Sequence, residues 1–191
     1  MSKPIITHFR KYISIDETEV NEILNFFNTV TVSKKSNLLS LDMVCRNHYF
    51  VESGCLRLFY IDPKGAEQTV QFALENWWIT DYDAYAKQKR SSFMIQAVEE
   101  TTVQELSFTN QELLLERFPK FERYFRLIYE RAYAASQFRT RYLYDFSKEA
   151  FYNHFNTNFP EFARRVPQQF LASYLNMTPE YLSEIKAKRR S

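Results

Sequence analysis

Apolar positions recur along this chain with two different periods, and the changes of period divide it. Ser14 or Asp16 starts a helix whose apolar face is Val20, Ile23, Leu24 and Phe27. From about Thr29 short β-prone runs take over: Thr29 to Val32, Asn37 to Leu41, Tyr49 to Ile61, Gln68 to Leu74, Phe93 to Val98 and Thr102 to Leu106. Asp62-Pro63-Lys64-Gly65 separates two of them as a hairpin signal, with Gly65 free to take a positive φ. Leu56, Leu58 and Tyr60 alternate with Arg57, Phe59 and Ile61, which predicts strands buried mainly on one face. Several short strands at this spacing predict a small barrel or sandwich.

The helical period returns at Thr109 to Arg117, with Thr109 as cap and Glu112 three residues on. Pro119 then opens a long helix. Phe121, Phe125, Ile128, Ala132, Ala135, Arg139, Tyr142 and Phe146 step by 4, 3, 4, 3, 4, 3 and 4, a heptad stripe. A core helix packed on its own domain would show the same stripe. Pairing with a second helix is preferred, because a strand domain of this size offers too little surface to cover it. Arg139 interrupts the seam and must reach a partner or solvent. Asp145 or Ser147 begins the next helix, with Ala150, Phe151, His154 and Phe155 inward, and Asn156, Thr157, Asn158 and Pro160 break it.

The segment from Val166 to Lys186 reads as a helix-turn-helix. Pro167 suits the first turn of a helix, and Leu171, Ala172 and Leu175 share one face. Asn176 tolerates the left-handed conformation of a tight turn. Thr178 caps a second helix with Pro179 at its first position, and Leu182 and Ile185 form its buried seam. Thr178, Glu180, Tyr181, Ser183, Glu184 and Lys188 then face outward. A plain helical hairpin would look similar, but the charge favours a nucleic-acid role. Residues 164–191 hold six Lys/Arg (Arg164, Arg165, Lys186, Lys188, Arg189, Arg190) against Glu180 and Glu184. Residues 116–191 carry +6 and residues 1–115 carry −4, in a chain of 191 residues and net +2.

Composition narrows the alternatives. A chain 45% hydrophobic and 25% charged can build a sizeable core. No apolar run approaches a membrane span and no signal-peptide h-region opens the chain, which points to the cytoplasm and away from a membrane partner. Cys45 and Cys55 could pair, but buried free thiols are preferred. His8, His48 and His154 are scattered, so neither a metal site nor any other cofactor is expected. No nucleophile–base pair, Gly-rich phosphate loop or clustered His/carboxylate set stands out, so an enzyme is not expected.

The order helix, β-domain, long helix and helix-turn-helix resembles the Crp/Fnr family of bacterial regulators in a short form. The resemblance runs from about Val20 to Arg190. Val51-Glu52-Ser53-Gly54-Cys55-Leu56-Arg57 looks like the family's strand–Gly–strand signature, and Asp62-Pro63-Lys64-Gly65-Ala66-Glu67 like its following hairpin. Val166-Pro167-Gln168, Tyr174-Leu175 and Tyr181-Leu182-Ser183 look like its C-terminal motif. The resemblance implies an α+β fold: a jelly-roll-like double-stranded β-helix of the cyclic-nucleotide-binding type over residues 1–118, a long dimerisation helix over 119–146 and a helix-turn-helix domain over 147–191. It implies a homodimer on palindromic promoter DNA, and it leaves contact with RNA polymerase open. The dimer seam would be Phe121, Phe125, Ile128, Ala132, Ala135 and Tyr142. DNA would meet Arg164, Arg165, Gln168, Thr178, Glu180, Tyr181, Ser183, Glu184, Lys186, Lys188 and Arg189.

Two departures from the family pattern bear on function. Cyclic-nucleotide binders carry Gly-Glu and then Arg-Ser about ten residues on. Here Thr80-Asp81 stands for Gly-Glu, Ser91 falls where Arg belongs, and Arg90 is one residue early, which on a strand is the opposite face. A buried phosphate without a cation is costly, so cyclic-nucleotide binding is not expected. The equivalent pocket, around Trp78, Thr80, Asp81, Arg90, Ser91 and Ser92, either takes another effector or is filled by Trp77, Trp78, Tyr82 and Tyr85; filling is slightly favoured. The family's β-wing is also expected to be missing or minimal, with Lys186, Lys188, Arg189 and Arg190 as substitute backbone contacts. At the base-reading positions Glu180 matches a family Glu, whereas Pro179 and Glu184 stand where Arg is usual, so a different operator is expected. The alternative is a small-molecule sensor or interaction protein with a degenerate DNA-binding tail.

Overall fold

The computed structural model describes residues 3–188. Its β-domain is a roll of two four-stranded antiparallel sheets. The first holds β1 (Asn28–Val32), β8 (Thr101–Ser107), β3 (Asn47–Ser53) and β6 (Trp78–Ile79), in that order. The second holds β2 (Asn37–Leu39), β7 (Met94–Ala97), β4 (Leu56–Ile61) and β5 (Glu67–Ala73). Val51, Leu56, Leu58, Ala73, Ile79, Ile95, Ala97 and Val103 fill the space between them.

The run from Tyr49 to Ile61 is two strands, and Gly54 is the break. Its φ is +98°, and a Cβ there would stand 2.6 Å from the Glu100 carbonyl oxygen and 2.7 Å from Thr101 Cα. Only glycine fits, on both conformational and steric grounds. The hairpin over residues 62–65 joins β4 to β5 as expected, with Gly65 at φ +82°.

Each sheet carries a helical layer on its outer face. On the first sheet lie α1 (Pro4–Phe9), α2 (Glu17–Leu24), α4 (Phe108–Arg117) and the first half of α5 (Lys120–Asp145), sharing a core of Ile5, Phe9, Ile23, Phe50, Phe121 and Phe125. On the second lie α6 (Lys148–Asn158), α7 (Pro160–Arg165), α8 (Gln168–Tyr174) and α9 (Pro179–Lys188), packed with Cys55, Phe72 and Val98 of the roll. The remaining helix, α3 (Tyr82–Ala86), follows β6.

This layering corrects the expectation of one buried strand face. In β4 both faces are covered from Leu56 to Phe59, and Arg57 is 1% exposed. It also divides the heptad stripe. Phe121, Phe125 and Ile128 are buried in the first layer, while Tyr142 and Phe146 pack into the second. Two layers therefore divide a stripe that one strand domain is too small to cover. Arg139 finds its partner within the chain, donating to the Tyr174 carbonyl at 2.9 Å.

Local capping sets the helix ends. The Asp16 N–H donates to Glu19 at 2.9 Å at the start of α2. Ser107, not Thr109, caps α4, accepting from the Asn110 N–H at 3.1 Å. Ser147 caps α6, whose inner side is Phe151, Tyr152 and Phe155; Ala150 is exposed. That helix runs through Asn156 and Thr157 and ends at Asn158. Cys45 and Cys55 are free and buried, and burial pushes the Cys55 thiol up to about 12. Among the described residues no helix is long and apolar enough to cross a membrane, and no group of three or more His, Cys, Asp or Glu stands together to hold a metal ion.

Candidate nucleic-acid interface

The two helices of the terminal motif are α8 and α9. Between them Asn176 takes φ +56°, and the Met177 N–H reaches the Ala172 carbonyl at 3.0 Å, closing the turn. Thr178 Oγ1 accepts from the Tyr181 N–H at 3.2 Å and so caps α9. Leu171, Ala172, Leu175, Leu182 and Ile185 are all buried, which fixes the face that α9 turns outward. On that face Thr178, Glu180, Tyr181, Ser183 and Glu184 are exposed.

Gln168 holds the two helices together rather than standing free. Its Nε2 donates to the Pro179 carbonyl at 3.1 Å and to Ser183 Oγ, and Lys186 Nζ donates to its Oε1 at 3.4 Å. The Lys148 ammonium of α6 lies 6.0 Å from the Tyr181 ring centroid. Arg164 is exposed and paired with Glu161 three residues earlier. Lys188 is exposed at the end of α9, and Arg189 and Arg190 lie outside the described residues.

Arg165 does not join this surface. Its guanidinium grips Glu75 with two bonds of 2.8 and 2.9 Å, Glu99 at 2.5 Å and the Gly54 carbonyl at 3.1 Å, all on the β-domain. Arg165 holds Glu75 down at about 2, against desolvation. In this structure Arg165 is turned away from the face expected to meet DNA: the loops after β5 and β7 supply the acids that turn it inward.

The same side of the roll grips α8. The Ser173 hydroxyl accepts from the Thr69 N–H at 2.8 Å and donates to the Glu67 carbonyl at 2.8 Å. Strand β5 is an edge of its sheet, so this hydroxyl occupies peptide groups that an edge leaves open. Arg57 lies flat between the rings of Phe59 and Phe170, 3.8 and 3.6 Å from their centroids, and donates to Glu67 at 2.6 Å. Arg139 stacks 4.6 Å from the Tyr174 ring. Phe72 of β5 meets Phe162 and Tyr174 at ring separations of 5.0 and 5.3 Å. Sequence reasoning missed this docking; the one local sign of it was an arginine inside an apolar strand.

Of the six residues expected around an effector, three come together. Asp81 Oδ2 accepts from Ser91 Oγ at 2.6 Å, and Asp81 Oδ1 caps α3 through the Ala84 N–H at 3.1 Å. Thr80 Oγ1 donates to the Asn47 carbonyl at 2.9 Å and sits 3.2 Å from Cys45 Sγ. Arg90 lies outside the named strands, in an isolated bridge to Val44, and its guanidinium donates to the Asp42 carbonyl at 2.9 Å, so the strand expected there does not form. Ser92 is exposed, and Trp78 points into the first helical layer, donating to Tyr124 Oη at 2.7 Å.

The aromatic filling is real in part. Trp78, Tyr82 and Tyr85 surround the fully buried His48, with Trp78 4.4 Å away, and Phe125 and Tyr129 of α5 close the ring. Trp77 is not among them; it is 49% exposed. Burial drives His48 down to about 3.

Two stacked β-sheets, a 26-residue helix leaving them and a terminal helix-turn-helix make up the architecture of Crp/Fnr-type transcription regulators. No family model and no curated protein matches the chain. Among solved structures, it is similar to a transcriptional regulator of the Crp/Fnr family from Eubacterium rectale, with a TM-score of 0.73 at 13% identity, over 92% of this chain and 84% of that one. It is similar to the c-di-GMP-responsive global regulator CLP of Xanthomonas campestris, with a TM-score of 0.73 at 13% identity over 92% of each chain. A CooA variant from Carboxydothermus hydrogenoformans gives 0.72 at 15% identity, over 94% of this chain and 86% of that one. At such identities the likeness is one of fold.

Proposed function

We propose that this chain is a non-enzymatic, DNA-binding transcription regulator acting as a homodimer. One observation carries the reading: the capped helix α9 stands on the surface with Thr178, Glu180, Tyr181, Ser183 and Glu184 exposed, while Leu182 and Ile185 anchor it from below. A helix so held can enter a major groove, its outward side chains reading base edges and its flanking cations meeting phosphates. Arg164, Lys186, Lys188 and Arg189 are the cations for that role. Gln168 sets the angle between the two helices. The working units are the β-roll over residues 1–118, the long helix over 119–146 and the terminal helices over 147–191.

Self-association uses α5. Of the residues expected at its seam, Phe121, Phe125 and Ile128 are already buried at home, Tyr142 is half-buried, and Ala132 and Ala135 remain. The aromatic side chains still uncovered on this helix are Tyr133, Phe138 and Tyr144, at 67, 54 and 86% exposure; Tyr133 and Tyr144 share a face of α5 different from that of the two alanines. The stretch around Thr80, Asp81 and Ser91 supports no cyclic-nucleotide response, because Asp81 is taken up by Ser91 and the Ala84 N–H, Thr80 by the Asn47 carbonyl, and none of the three is a cation for a phosphate. One observation favours the second reading, a sensor with a degenerate tail: both acids of α9 lie on the exposed face, where they repel phosphate.

Fluorescence anisotropy of the whole chain on a duplex from its own upstream region decides between them. The expected result is binding that weakens steeply with salt, and a log–log slope shallower by roughly 2 to 3 in the Lys186→Gln/Lys188→Gln/Arg189→Gln variant. Cyclic AMP added to the same titration leaves the curve where it is. A slope untouched by the triple substitution overturns the assignment of these residues, and no binding at low salt overturns the reading itself.

A further inference from the structure

Arg165 and Arg164 are neighbours in sequence with opposite fates. Arg164 stays on the surface beside a single acid of its own helix. Arg165 is gathered by Glu75 and Glu99 from two separate loops of the roll, and by the Gly54 carbonyl from a third. The Gly54 N–H also donates to Glu75 Oε1 at 2.9 Å, so the carboxylate is aimed before the arginine arrives. None of the three side chains is deeply buried: Arg165 is 34% exposed and both acids are 36% exposed. Water and other anions can reach the cluster.

Its position in the chain matters. Arg165 stands three residues before α8, the first helix of the motif, and in helix-turn-helix docking the first helix crosses the DNA backbone. A cation at that point would ordinarily serve a phosphate. Here it serves two acids, and those acids add negative charge beside the path a DNA backbone would take.

We propose that Glu75 and Glu99 form an autoinhibitory clasp on Arg165, and that DNA phosphate competes with them for its guanidinium. The inference rests on the DNA-binding reading above and adds its control point. In the closed clasp one cation of the basic tail is withheld and two acids are held against the motif. In the open clasp Arg165 swings to a phosphate, and the helical layer keeps its place through Phe72, Phe162, Phe170 and Tyr174, which do not depend on the clasp. Whatever shifts the loops carrying Glu75 and Glu99 would thereby change DNA affinity without moving α9. Arg165 holds the Glu75 carboxyl down at about 2, and the clasp opens by competition for the guanidinium.

A double-mutant cycle on the whole chain tests this, with a mixed-sequence 30-base-pair duplex and anisotropy read from about 50 to 200 mM KCl. Glu75→Gln/Glu99→Gln binds about five- to tenfold tighter than the parent near 100 mM salt, and its log–log salt slope is steeper by about one. Arg165→Gln alone, in the parent background, changes affinity less than twofold, because a clasped arginine makes no phosphate contact. Added to the two glutamines, the same substitution removes most of their gain and the extra slope. Melting curves of all four proteins within a few degrees show that folding is not the cause.

If the gain survives in the triple variant, the acids act by plain repulsion and the clasp is overturned. A parent chain weakened several-fold by Arg165→Gln already uses Arg165 on DNA, which also overturns it. If neither the parent nor the glutamine variant binds duplex at 50 mM salt, the DNA reading falls. That outcome is distinct from binding that ignores the two acids, where the clasp alone falls.

Discussion

The two outer layers of the roll are fastened in different ways. On the first sheet, α1, α2, α4 and the start of α5 are held by apolar and aromatic contact; Phe9 meets Phe121 and Tyr124 edge-on at 4.9 and 4.8 Å. Inside it Trp78 donates to Tyr124 Oη, which lies 2.8 Å from His8 Nδ1; its ion pairs, Arg117 with Glu22 and Lys120 with Glu19, tie α2 to α4 and α5 at the rim and do not reach the roll. On the second sheet, three arginines span the junction: Arg57 from the roll, Arg139 from α5 and Arg165 from α7. Against the sheet itself this aromatic layer gains chiefly from burial. A layer pinned by guanidinium groups holds its pose through directional bonds that anions can compete for. The first layer secures the fold, and the second positions a motif that must respond.

The largest test of that contrast is to damage the first layer. Phe121→Ala removes a fully buried ring that touches Phe9, Phe118, Tyr124 and Phe125. The expected loss is about 3–5 kcal/mol, which in a domain of this size lowers Tm by roughly 10 °C or more. Thermal unfolding by circular dichroism reads it. A loss under about 1 kcal/mol would mean the layer is not the fold's anchor.

Acid probes the same layer more gently. His8 is held down at about 4, chiefly by burial and then by Lys11 and Arg131, and His48 at about 3 by burial. Both folded values lie below the unfolded value of about 6.5, so between pH 4 and 6.5 the unfolded chain binds more protons. The stability from keeping these rings neutral is complete above pH 6.5 and falls as pH drops toward 4. The loss reaches on the order of 3 kcal/mol per ring by pH 4. Urea unfolding from pH 7.5 to 4 should show that decline. His48→Leu should flatten it by about half with little effect on the neutral-pH fold, because Gln111 is the one polar side chain acting on the ring and neither ring nitrogen makes a hydrogen bond of ordinary geometry. An unchanged pH profile in that variant would remove His48 from the account.

How much of this was legible in the chain follows the range of the interactions. Caps and turns are local, so Asp16, Ser147, Asn176, Thr178 and the hairpin at Gly65 could be read directly. Much of the terminal motif was legible because Leu171, Ala172, Leu175, Leu182 and Ile185 follow helical spacing, although buried Phe170 and Met177 were not foreseen. At α4 the cap was misplaced because Ser107 and Thr109 both suit the role, and only Ser107 closes strand β8 onto the helix. The short α1 carried its own signs, Pro4 followed by Ile5, Ile6 and Phe9, but six residues are too few for a period to show. What spacing does not carry is docking. Arg57 occupies an alternate strand position that ordinarily faces water, and its burial depends on Phe170, more than a hundred residues away. Arg165 likewise reads as part of a basic tail until Glu75 and Glu99 are brought beside it. The pocket stretch was less legible: Arg90 and Ser91 precede β7 instead of sharing a strand, and the pairing of Asp81 with Ser91 is a tertiary fact.

The smallest expected effect separates the two layers most sharply. Arg57 is as buried as any phenylalanine of the first layer, so burial alone would rank its replacement with Phe121→Ala. Its energetics differ. A buried charge loses much of its hydration, so its partners largely repay a cost instead of adding stability. Glu67, its acidic partner, has a side chain 47% exposed and can return to water if the cation goes. Methionine keeps much of the length between Phe59 and Phe170, adapts its flexible thioether to the slot and gains sulfur–aromatic contact. Arg57→Met should therefore change stability by less than about 1 kcal/mol, while Arg57→Ala, which leaves the two rings without a filler, should cost about 2–4 kcal/mol. The same urea titration measures both. A methionine variant as damaged as Phe121→Ala would show that the guanidinium is an anchor like the aromatic rings, and the division between a layer that secures and a layer that positions would not hold.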